Sequence, residues 1–549
     1  MIRNRDLILI LDFGSQYTQL IARRIRELGI YSLVQPYNVS VSKITELNPK
    51  GLVLSGGPNS VNFSKTLRPR KDIFNLEIPI LGICYGMQLI AKEYGGTVVK
   101  SAKKEFGHSF FKINKKIDLF NGCGNDLKNC SVWMSHADKV DKLPRGFTAI
   151  GSSTNSKIAA IYSRKMKIFG LQFHPEVTHT KIGKKIIDNF TKICGCKKSW
   201  TAKTISKSLI EKAKQDIAKE KVILALSGGV DSSVVAAILS KSIGKQLTCI
   251  FIDTGLLRKN EVHEVKKITT SLNIQLKIID ASRIFLLKLR GVTDPEKKRK
   301  IIGKCFIDVF NKAALKIRDV KFLAQGTIYP DVIESSSKNS KSDVIKSHHN
   351  VGGLPKNMKL KLVEPIRDLF KDEVRKIGRQ LGLPDNLLER HPFPGPGLAV
   401  RILGEINHIK INILQEVDYI FLDELRSNGY YNKTDQALSV LIPQKSVGVM
   451  GDKRQYGYVV AIRAVNTTDF MTATSTAIPH KILNKISSRI INEVSGVARV
   501  VYDITSKPPG TIESVSYTHL RAHETREDLG CRGVLEKKKG GGGGGGGGG

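Results

Sequence analysis

Residues 80–94 read ILGICYGMQLIAKEY, and this stretch indicates the fold of the region around it. It consists of a short apolar segment, a turn bounded by two glycines, and a segment whose apolar residues have helical spacing. A short strand that leads through a glycine-rich turn into a helix is typical of a parallel α/β sheet. The same order occurs nearer the N-terminus, where the apolar residues 7–11 precede a helix-like segment at 19–28. We therefore predict a parallel-sheet α/β domain over residues 6–200.

Two further domains are expected downstream. The apolar residues 222–226 lead into a second glycine-rich turn and a helix-like segment, which predicts another parallel-sheet α/β domain over residues 201–395. After a proline-rich stretch at 391–397, two strand candidates and two helix candidates predict a module over residues 396–513. The predicted fold class is therefore α/β, with two parallel-sheet α/β domains followed by a smaller α+β domain.

The last segment of the chain, residues 514–549, has no convincing period of apolar residues. It ends in a run of glycines, residues 540–549, that cannot bury apolar surface. We expect residues 514–549 to be a non-native tail and exclude them from the fold prediction.

The composition is that of a globular protein with an excess of basic residues. The 88 lysines and arginines outnumber the 50 aspartates and glutamates, which gives a formal net charge of +38. Such an excess is compatible with a nucleic-acid partner, but the lysines are spread through every segment, so no specific nucleic-acid binding is expected. The sequence contains no run of about 18 apolar residues, so it predicts no membrane-spanning helix. The apolar run at 7–11 is too short for a signal peptide. We expect a cytoplasmic protein with no membrane partner.

The eight cysteines have neither the spacing of a disulfide framework nor that of zinc ligands, and Cys84 alone lies in a motif that suggests chemistry. Gly82-Ile83-Cys84-Tyr85-Gly86 has the form G-x-C-x-G, which parallels the G-x-S-x-G nucleophile elbow. A cysteine in such a turn lies at a helix N-terminus, where the helix dipole favours the thiolate. Because an ordinary thiol is mostly protonated at neutral pH, we expect a base nearby.

The best candidate for this base is in Phe173-His174-Pro175-Glu176. Residues i and i+2 of an extended segment share a face, so Glu176 can orient the ring of His174 while His174 takes the proton of Cys84. Taken alone, Cys84 could be an ordinary buried cysteine, and His174 could be a core histidine whose hydrogen bonds are satisfied.

A phosphate site is predicted at Ser227, Gly228, Gly229, Val230, Asp231, Ser232 and Ser233, which follow an apolar strand and lead into a helix. Glycines allow the backbone to close on phosphate, and the helix N-terminus supplies positive potential. The spacing differs from that of a Walker A loop. Further along, Asp331 and Glu334 could help to hold Mg²⁺ or could lie at a solvated loop end. Residues 346–350, KSHHN, suit a lid over a reactive intermediate.

Together with Ser55-Gly56-Gly57-Pro58, the cysteine motifs resemble the triad-type (class I) glutamine amidotransferase domain over about residues 7–196. The resemblance implies that Cys84 attacks the side-chain amide of glutamine and that His174 protonates the departing ammonia. It also implies an oxyanion hole made by the backbone N–H groups of Gly57 and Tyr85, and contacts to glutamine from Gln88, Ser135, His136 and Asp138. His136 could instead be a plain loop residue.

The string S-G-G-x-D-S-S resembles the PP-loop of ATP pyrophosphatases, and the order of the two domains resembles the GMP synthetase family over residues 7–513. The segments 390–398 and 506–513 are its most specific marks after the catalytic motifs. The resemblance implies glutamine, Mg-ATP and xanthosine 5′-monophosphate (XMP) as substrates, and GMP, AMP, pyrophosphate and glutamate as products. The third domain is implied to form a homodimer. The positions that match XMP-binding residues are Arg299, Lys507 and Glu513.

Some assignments stay open at this point. Arg299 lies in a basic run, Glu296-Lys297-Lys298-Arg299-Lys300, that could equally be a solvated helix face. The family normally ends Thr-Ile-Glu-Trp-Glu, whereas Ser514 follows Glu513 here, so we interpret the tail as an assembly artefact. Two other functions compete: a PP-loop amidotransferase that acts on a different acceptor, and a nucleic-acid-binding protein with degenerate sites.

Overall fold

The computed structural model of the chain describes residues 5–63, 66–123, 130–336, 360–450, 453–467 and 472–513. The chain divides into two compact units, Met1–Ile205 and Ser206–Gly549. Over the described ranges, no helix combines the length and the apolar character needed to cross a membrane.

The first unit is built on one large sheet. Among its described residues, nine strands form this sheet: β1 (Leu7–Asp12), β2 (Tyr31–Pro36), β3 (Gly51–Leu54), β4 (Ile80–Ile83), β5 (Thr97–Ile113), β6 (Cys130–Lys142), β7 (Thr148–Ser153), β8 (Ala160–Ser163) and β9 (Ile168–Leu171). Their order is β2-β1-β3-β4-β9-β8-β7-β5-β6. The strands from β2 to β9 in this order are parallel, and those from β9 to β6 are antiparallel.

The inner strands of the parallel half, β1, β3, β4 and β9, are buried on both faces, which explains their nearly continuous apolar sequence. All four residues of β3, β4 and β9 are buried. By contrast, buried and partly exposed residues alternate along most of β6, as is typical of an antiparallel strand with one wetter face. The α/β prediction for this unit is confirmed, but the long polar strands β5 and β6 were not predicted.

Helices cover the parallel half of this sheet: α1 (Thr18–Glu27), α2 (Val41–Leu47), α3 (Tyr85–Glu93) and α4 (Gly183–Ile193). Every residue of α3 from Tyr85 to Ala91 is buried, as expected for a helix that is surrounded by the core. The core cluster of this unit includes Leu52 and Leu54 of β3 together with Leu89 and Ile90 of α3. The N-terminus of α3, next to Cys84, is therefore fixed by packing.

The second unit begins with a parallel sheet. Within the described ranges its strands are β10 (Lys221–Ala225), β11 (Leu247–Asp253), β12 (Gln275–Asp280), β13 (Val320–Ala324) and β14 (Lys361–Val363), in the order β12-β11-β10-β13-β14. Its helices are α5 (Ala202–Ile217), which crosses the boundary between the two units, α6 (Val230–Ile243), α7 (Glu261–Ser271), α8 (Ser282–Leu289), α9 (Pro295–Ala314), α10 (Tyr329–Ser336), α11 (Lys371–Gln380) and α12 (Asp385–Leu388).

The C-terminal part of this unit is an α+β arrangement, as predicted. It contains α13 (His408–Ser427), β15 (Gln436–Met450), β16 (Lys453–Asn466), β17 (Thr474–Ser475), α14 (His480–Glu493) and β18 (Val497–Tyr502). Strand β16 lies at the centre, with antiparallel pairing to β15 and β17 and parallel pairing to β18.

One hydrophobic core joins the parallel sheet of the second unit to its C-terminal part. Ile223 and Ile250 of the parallel sheet belong to the same cluster as Leu414 and Phe421 of α13 and Val460 of β16. The second and third predicted domains therefore lie within one compact unit, and the predicted boundaries between domains stay predictions.

Candidate active sites

Cys84 lies in the turn between β4 and α3. Its φ of +52° is strained for a residue with a side chain. The two glycines of the motif allow this turn. A Cβ on Gly82 would lie 2.6 Å from the carbonyl carbon of Gly86, and a Cβ on Gly86 would lie 2.8 Å from the Cβ of Leu54. The G-x-C-x-G pattern is therefore required by close packing beneath the cysteine.

The structure brings Cys84, His174 and Glu176 together. Nδ1 of His174 lies 2.7 Å from Oε1 of Glu176, and the imidazole is hydrogen-bonded to the Cys84 thiol. All three residues are buried. Burial lowers the pKa of His174, but the charge of Glu176 and the hydrogen bond with Cys84 outweigh burial and hold this pKa well above its ordinary value. The site thus favours a protonated imidazole at His174.

Gln172 is a residue of this site that the sequence analysis missed. Its Nε2 donates to the Sγ of Cys84 at 3.7 Å, and its Oε1 lies 3.4 Å from Nε2 of Gln88. It is fully buried in an otherwise apolar stretch, directly before Phe173 and His174. The sequence did contain a signal for this residue, namely an amide side chain within an apolar stretch. A polar group that is buried there needs a hydrogen-bond partner.

The predicted glutamine-contact residues form a connected group, and one of them, Ser135, lies next to the thiol. Nε2 of Gln88 donates to the backbone carbonyl of Asp138 at 2.8 Å, and the Cys84 thiol lies 3.5 Å from the carbonyl oxygen of Ser135. Ser135, His136 and Asp138 are all on β6. The alternative that His136 is a plain loop residue is wrong, since it lies in a strand and is 5% exposed.

The two residues predicted to form the oxyanion hole are neighbours. A Cβ on Gly57 would lie 3.2 Å from the Cγ of Tyr85, so the backbone of Gly57 lies against the Tyr85 ring. Tyr85 is the first residue of α3, directly after the nucleophile, where the helix leaves backbone N–H groups without intrahelical partners. This placement is compatible with two N–H groups that face one oxyanion.

The predicted phosphate loop connects β10 to α6. Gly228 has a φ of +76°, and α6 begins at Val230 with Gly229 as its N-cap. The hydroxyl of Ser227 lies 2.9 Å from that of Ser232 and accepts from the N–H of Gly229 at 3.3 Å. Val230, Asp231, Ser232 and Ser233 thus form the first turn of the helix, where the macrodipole favours an anion.

Two basic side chains that the sequence analysis did not single out contact this loop. Nζ of Lys371 lies 2.6 Å from Oδ2 of Asp231, and Nη1 of Arg390 donates to the carbonyl of Gly228 at 3.0 Å. Lys371 is the first residue of α11, about 140 residues downstream of the loop. Arg390 opens the proline-rich motif, which therefore has a structural connection to the phosphate loop.

The sequence of the chain matches known proteins over most of its length. Three family models match in succession: glutamine amidotransferase class-I over residues 9–194, NAD synthase over 202–303, and GMP synthase C terminal domain over 423–514. The glutamine-hydrolysing GMP synthase of Cellvibrio japonicus is 53% identical over 515 residues, which cover 92% of this chain and 98% of that protein. That of Chlorobium luteolum is 54% identical over 511 residues, which cover 92% and 99%. The chain belongs to the family of glutamine-hydrolysing GMP synthases.

In this member of the GMP synthase family, the three predicted XMP-binding residues have different surroundings. Arg299 lies on α9 with its side chain 12% exposed, 3.7 Å from Glu296, so the solvated-face alternative is wrong. The backbone of Lys507 pairs with Ala473, which belongs to the same small apolar cluster as Ile512. Lys507 and Glu513, which follows Ile512, thus lie in one region.

The carboxylate of Glu513 is held by a buried arginine that the sequence analysis missed. Arg401 is fully buried and donates from Nη2 and Nε to the two oxygens of Glu513 at 2.7 and 3.1 Å. Nε2 of Gln436 donates to the same carboxylate at 2.9 Å. On its other side, Nη1 of Arg401 lies 3.8 Å from Oδ1 of Asp418, whose Oδ2 lies 3.0 Å from Nε of Arg258. Two buried arginines therefore share the charge of Asp418 next to the predicted XMP residue.

The same set of charges extends to the phosphate loop. The backbone N–H of Arg258 donates to Oε2 of Glu261 at 3.2 Å, and Nη2 of Arg390 donates to Oε1 of the same carboxylate at 3.1 Å. Because Arg390 also donates to Gly228, a series of hydrogen bonds and ion pairs connects the predicted phosphate loop to Glu513. Buried arginines and carboxylates such as these need partners of opposite charge or hydrogen-bond partners.

The predicted magnesium residues are only partly described. Asp331 lies in the first turn of α10, where Oδ2 accepts from the backbone N–H of Ile328 at 3.0 Å, so the loop-end alternative is wrong for this residue. The side chain of Glu334, the residues 346–350 predicted as a lid, and the tail 514–549 lie outside the described residues. Among the described residues, no group of three or more His, Cys, Asp or Glu side chains could hold a metal ion.

Proposed function

We propose that this chain hydrolyses glutamine at Cys84 in an amidotransferase domain (residues 6–200) and uses the ammonia to convert XMP to GMP in a synthetase domain (residues 201–395). The observation that carries the proposal is the buried contact set of Cys84, His174 and Glu176 in the same chain as the phosphate loop at 227–233. Membership of the glutamine-hydrolysing GMP synthase family supports both the acceptor and the nitrogen source.

The first half-reaction is proposed to take place at the cysteine site. The thiolate of Cys84 attacks the amide carbon of glutamine, and the N–H groups of Gly57 and Tyr85 stabilise the oxyanion. His174, which holds its proton because of Glu176, protonates the nitrogen as the C–N bond breaks and ammonia leaves. Water then hydrolyses the glutamyl thioester to release glutamate and the free thiol.

The second half-reaction uses the N-terminus of α6. The backbone N–H groups of the loop and the ammonium of Lys371 bind the phosphates of ATP, while O2 of XMP attacks the α-phosphorus and pyrophosphate leaves. Ammonia then attacks C2 of the purine, and AMP leaves with the C2–O bond electrons. Lys507, Glu513 and Arg299 are proposed to bind XMP.

Mg²⁺ is proposed to accompany ATP, and the residues present fit one ion. Oδ1 of Asp231 is buried without a hydrogen-bond partner among the described residues, while Oδ2 contacts Lys371. A single carboxylate with a free oxygen, next to substrate phosphates, is the ligand set that Mg²⁺ commonly takes. The ion would neutralise charge on the phosphates as pyrophosphate leaves. Asp331 and Glu334 remain further candidates.

A homodimer formed through residues 396–513 is also proposed. Val447, Val449 and Tyr456 are 47%, 73% and 62% exposed, and Val447 is directly opposite Tyr456 in the β15–β16 pair. Residues i and i+2 share a face, so these side chains form one exposed apolar patch of the kind that marks interfaces. Light scattering should give a dimer mass for the full chain and a smaller mass for Val449→Lys. A monomeric wild type would contradict the proposal. A cytoplasmic location, in keeping with a metabolic reaction, stays a proposal as well.

The deciding experiment is a pyrophosphate-release assay with ATP and XMP, supplied with either glutamine or ammonium. Pyrophosphate and GMP should form in equal amounts with both nitrogen sources. Release that requires an acceptor other than XMP would refute the proposed substrate. The absence of ATP turnover with any acceptor would refute the enzyme proposal as a whole.

A further inference from the structure

The middle of β6 contacts the cysteine site through its backbone. In this part of the strand, residues 133–138, here called the site segment, the carbonyl of Ser135 lies 3.5 Å from the Cys84 thiol. The carbonyl of Asp138 accepts from Nε2 of Gln88 at 2.8 Å. The position of these two carbonyls therefore sets the surroundings of the nucleophile and of a predicted glutamine contact.

His136 follows Ser135 in the site segment, and its side chain contacts the second of the two carbonyls. Its Nδ1 lies 3.0 Å from the carbonyl oxygen of Asp138, and its Nε2 lies 3.1 Å from Oε2 of Glu105. Both side chains are almost inaccessible, at 2% and 3% exposure. The ring of His136 is therefore held between a backbone carbonyl on one side and the carboxylate of Glu105 on the other.

Glu105 is built to remain a carboxylate in this position. Ser153 donates to both of its oxygens at 3.0 Å, and Ser109 donates to Oε1 at 3.2 Å. Burial raises the pKa of Glu105, but the contacts with His136, Ser153 and Ser109 outweigh burial and hold this pKa below its ordinary value. The charge of Glu105 is therefore compensated within the described residues, and the partner that contributes most to this is His136.

The register of the sheet explains why Glu105 faces His136. The two residues are direct partners in the β5–β6 pair, and a register shift lies between Lys100 and Glu105 on β5. Directly opposed residues project from the same face, and a bulge changes the direction of the side chains that follow it. The irregularity in β5 thus places the carboxylate under the site segment.

We propose that Glu105 is a positioning residue of the glutaminase site, which holds His136 and thereby fixes the carbonyls of Ser135 and Asp138 against Cys84 and Gln88. The proposal rests on the proposed role of Cys84 in glutamine hydrolysis. Glu105 does not touch the nucleophile. It acts on glutamine binding and alignment through the site segment, while His174 and Glu176 activate the thiol independently.

The test compares Glu105→Gln with wild type in the full-length chain, because the amide keeps the shape of the side chain but removes its charge and one of its two acceptor oxygens. Glutamine-dependent kcat/KM should fall roughly 30- to 100-fold, the loss expected for a displacement approaching 1 Å, with a raised KM for glutamine. Ammonium-dependent synthesis should not change. Alkylation of Cys84 by iodoacetamide should keep its wild-type rate, since the triad is intact. Glu105→Asp should recover part of the activity.

A double variant adds a readout that a purely structural role would not move. Glu105→Gln combined with His136→Gln should lose no more activity than the more damaging single variant, because the two residues act as one unit. Glu46→Gln serves as the matched control, since this exposed carboxylate pairs with Lys43 on α2, and it should behave as wild type.

Each result decides the proposal. Unchanged kcat/KM in Glu105→Gln, losses that multiply in the double variant, or a parallel fall in ammonium-dependent synthesis or in Cys84 alkylation would overturn the role of Glu105. Glutamine hydrolysis that survives in Cys84→Ala would overturn the proposed function, and the positioning role with it. Loss of hydrolysis in Cys84→Ala together with unchanged Glu105→Gln would overturn the positioning role alone.

Discussion

Gly86 offers the sharpest test of the cysteine turn, because its substitution disturbs the nucleophile without touching a reacting group. In Gly86→Ala the new Cβ would lie 2.8 Å from the Cβ of Leu54 and closer still to the Leu54 carbonyl oxygen. Ordinary contact begins at 3.4 Å, so the overlap with the Leu54 Cβ alone is 0.6 Å. Leu54 cannot retreat, since it is fully buried and is paired with Gly82 in the sheet. The N-terminus of α3, and Cys84 with it, must move instead.

The expected loss can be estimated from this overlap. Overpacking of a buried site costs about 1–3 kcal/mol in stability, and misplacement of a catalytic group by about 1 Å lowers the rate about 100-fold. Glutaminase activity, measured as glutamate release, should therefore fall roughly 100-fold in Gly86→Ala, while ammonium-dependent GMP formation by the same preparation should be unchanged. Lys92→Ala is the control, because Lys92 is exposed on the same helix. A wild-type rate of glutamate release in Gly86→Ala would refute the packing argument, and so would an equal loss of both activities.

Three further predictions concern single side chains. Cys84→Ala should abolish the glutamine reaction but spare synthesis with ammonium, whereas Asp231→Ala should stop both; an assay with each nitrogen source checks this, and retained glutamine use in Cys84→Ala would contradict it. Glu176→Gln removes the charge that raises the pKa of His174, so glutaminase activity should fall at least about 100-fold in steady-state kinetics, as when the carboxylate of a comparable triad is neutralised; a smaller effect would mean that Glu176 does not stabilise the imidazolium. Burial lowers the pKa of His391 to about 4, from an ordinary 6.5. As the pH falls from 6.5 to 4 the unfolded chain takes up a proton first, so this residue should remove about 3 kcal/mol of stability. Urea unfolding at both pH values should show a smaller loss of stability at low pH in His391→Gln than in the wild type. An equal loss in the variant would rule out His391 as its source.

The parts of the two sites that the sequence predicted are those built from neighbours along the chain. Cys84 and the phosphate loop each follow a buried strand, and their glycines report a local need for tight turns that packing then confirms. The pairing of His174 with Glu176 also followed from their spacing. In each case the backbone conformation of a few consecutive residues places the chemistry, so a short pattern is sufficient.

The residues that hold these groups in place come from distant parts of the chain and leave no local pattern. Arg401 contacts Glu513 across 112 positions, and Lys371 contacts Asp231 across 140. A lysine or arginine in this basic sequence is by default a solvated residue, and only tertiary contact distinguishes the buried ones. The antiparallel half of the first sheet was missed for a related reason, because β5 and β6 contain charged residues that hide their strand character.

The carboxylate of Glu513, a predicted XMP-binding residue, has well-defined partners in the described part of the chain. Directly after Glu513, at Ser514, the sequence departs from the expected family pattern. However, Arg401 and Gln436 supply three donors to Glu513, and Arg401 is itself held by Asp418 and cannot reach water. Charge-assisted contacts in a buried fork fix both the position and the orientation of a carboxylate. The described partners that fix the Glu513 carboxylate therefore belong to the buried part of the second unit.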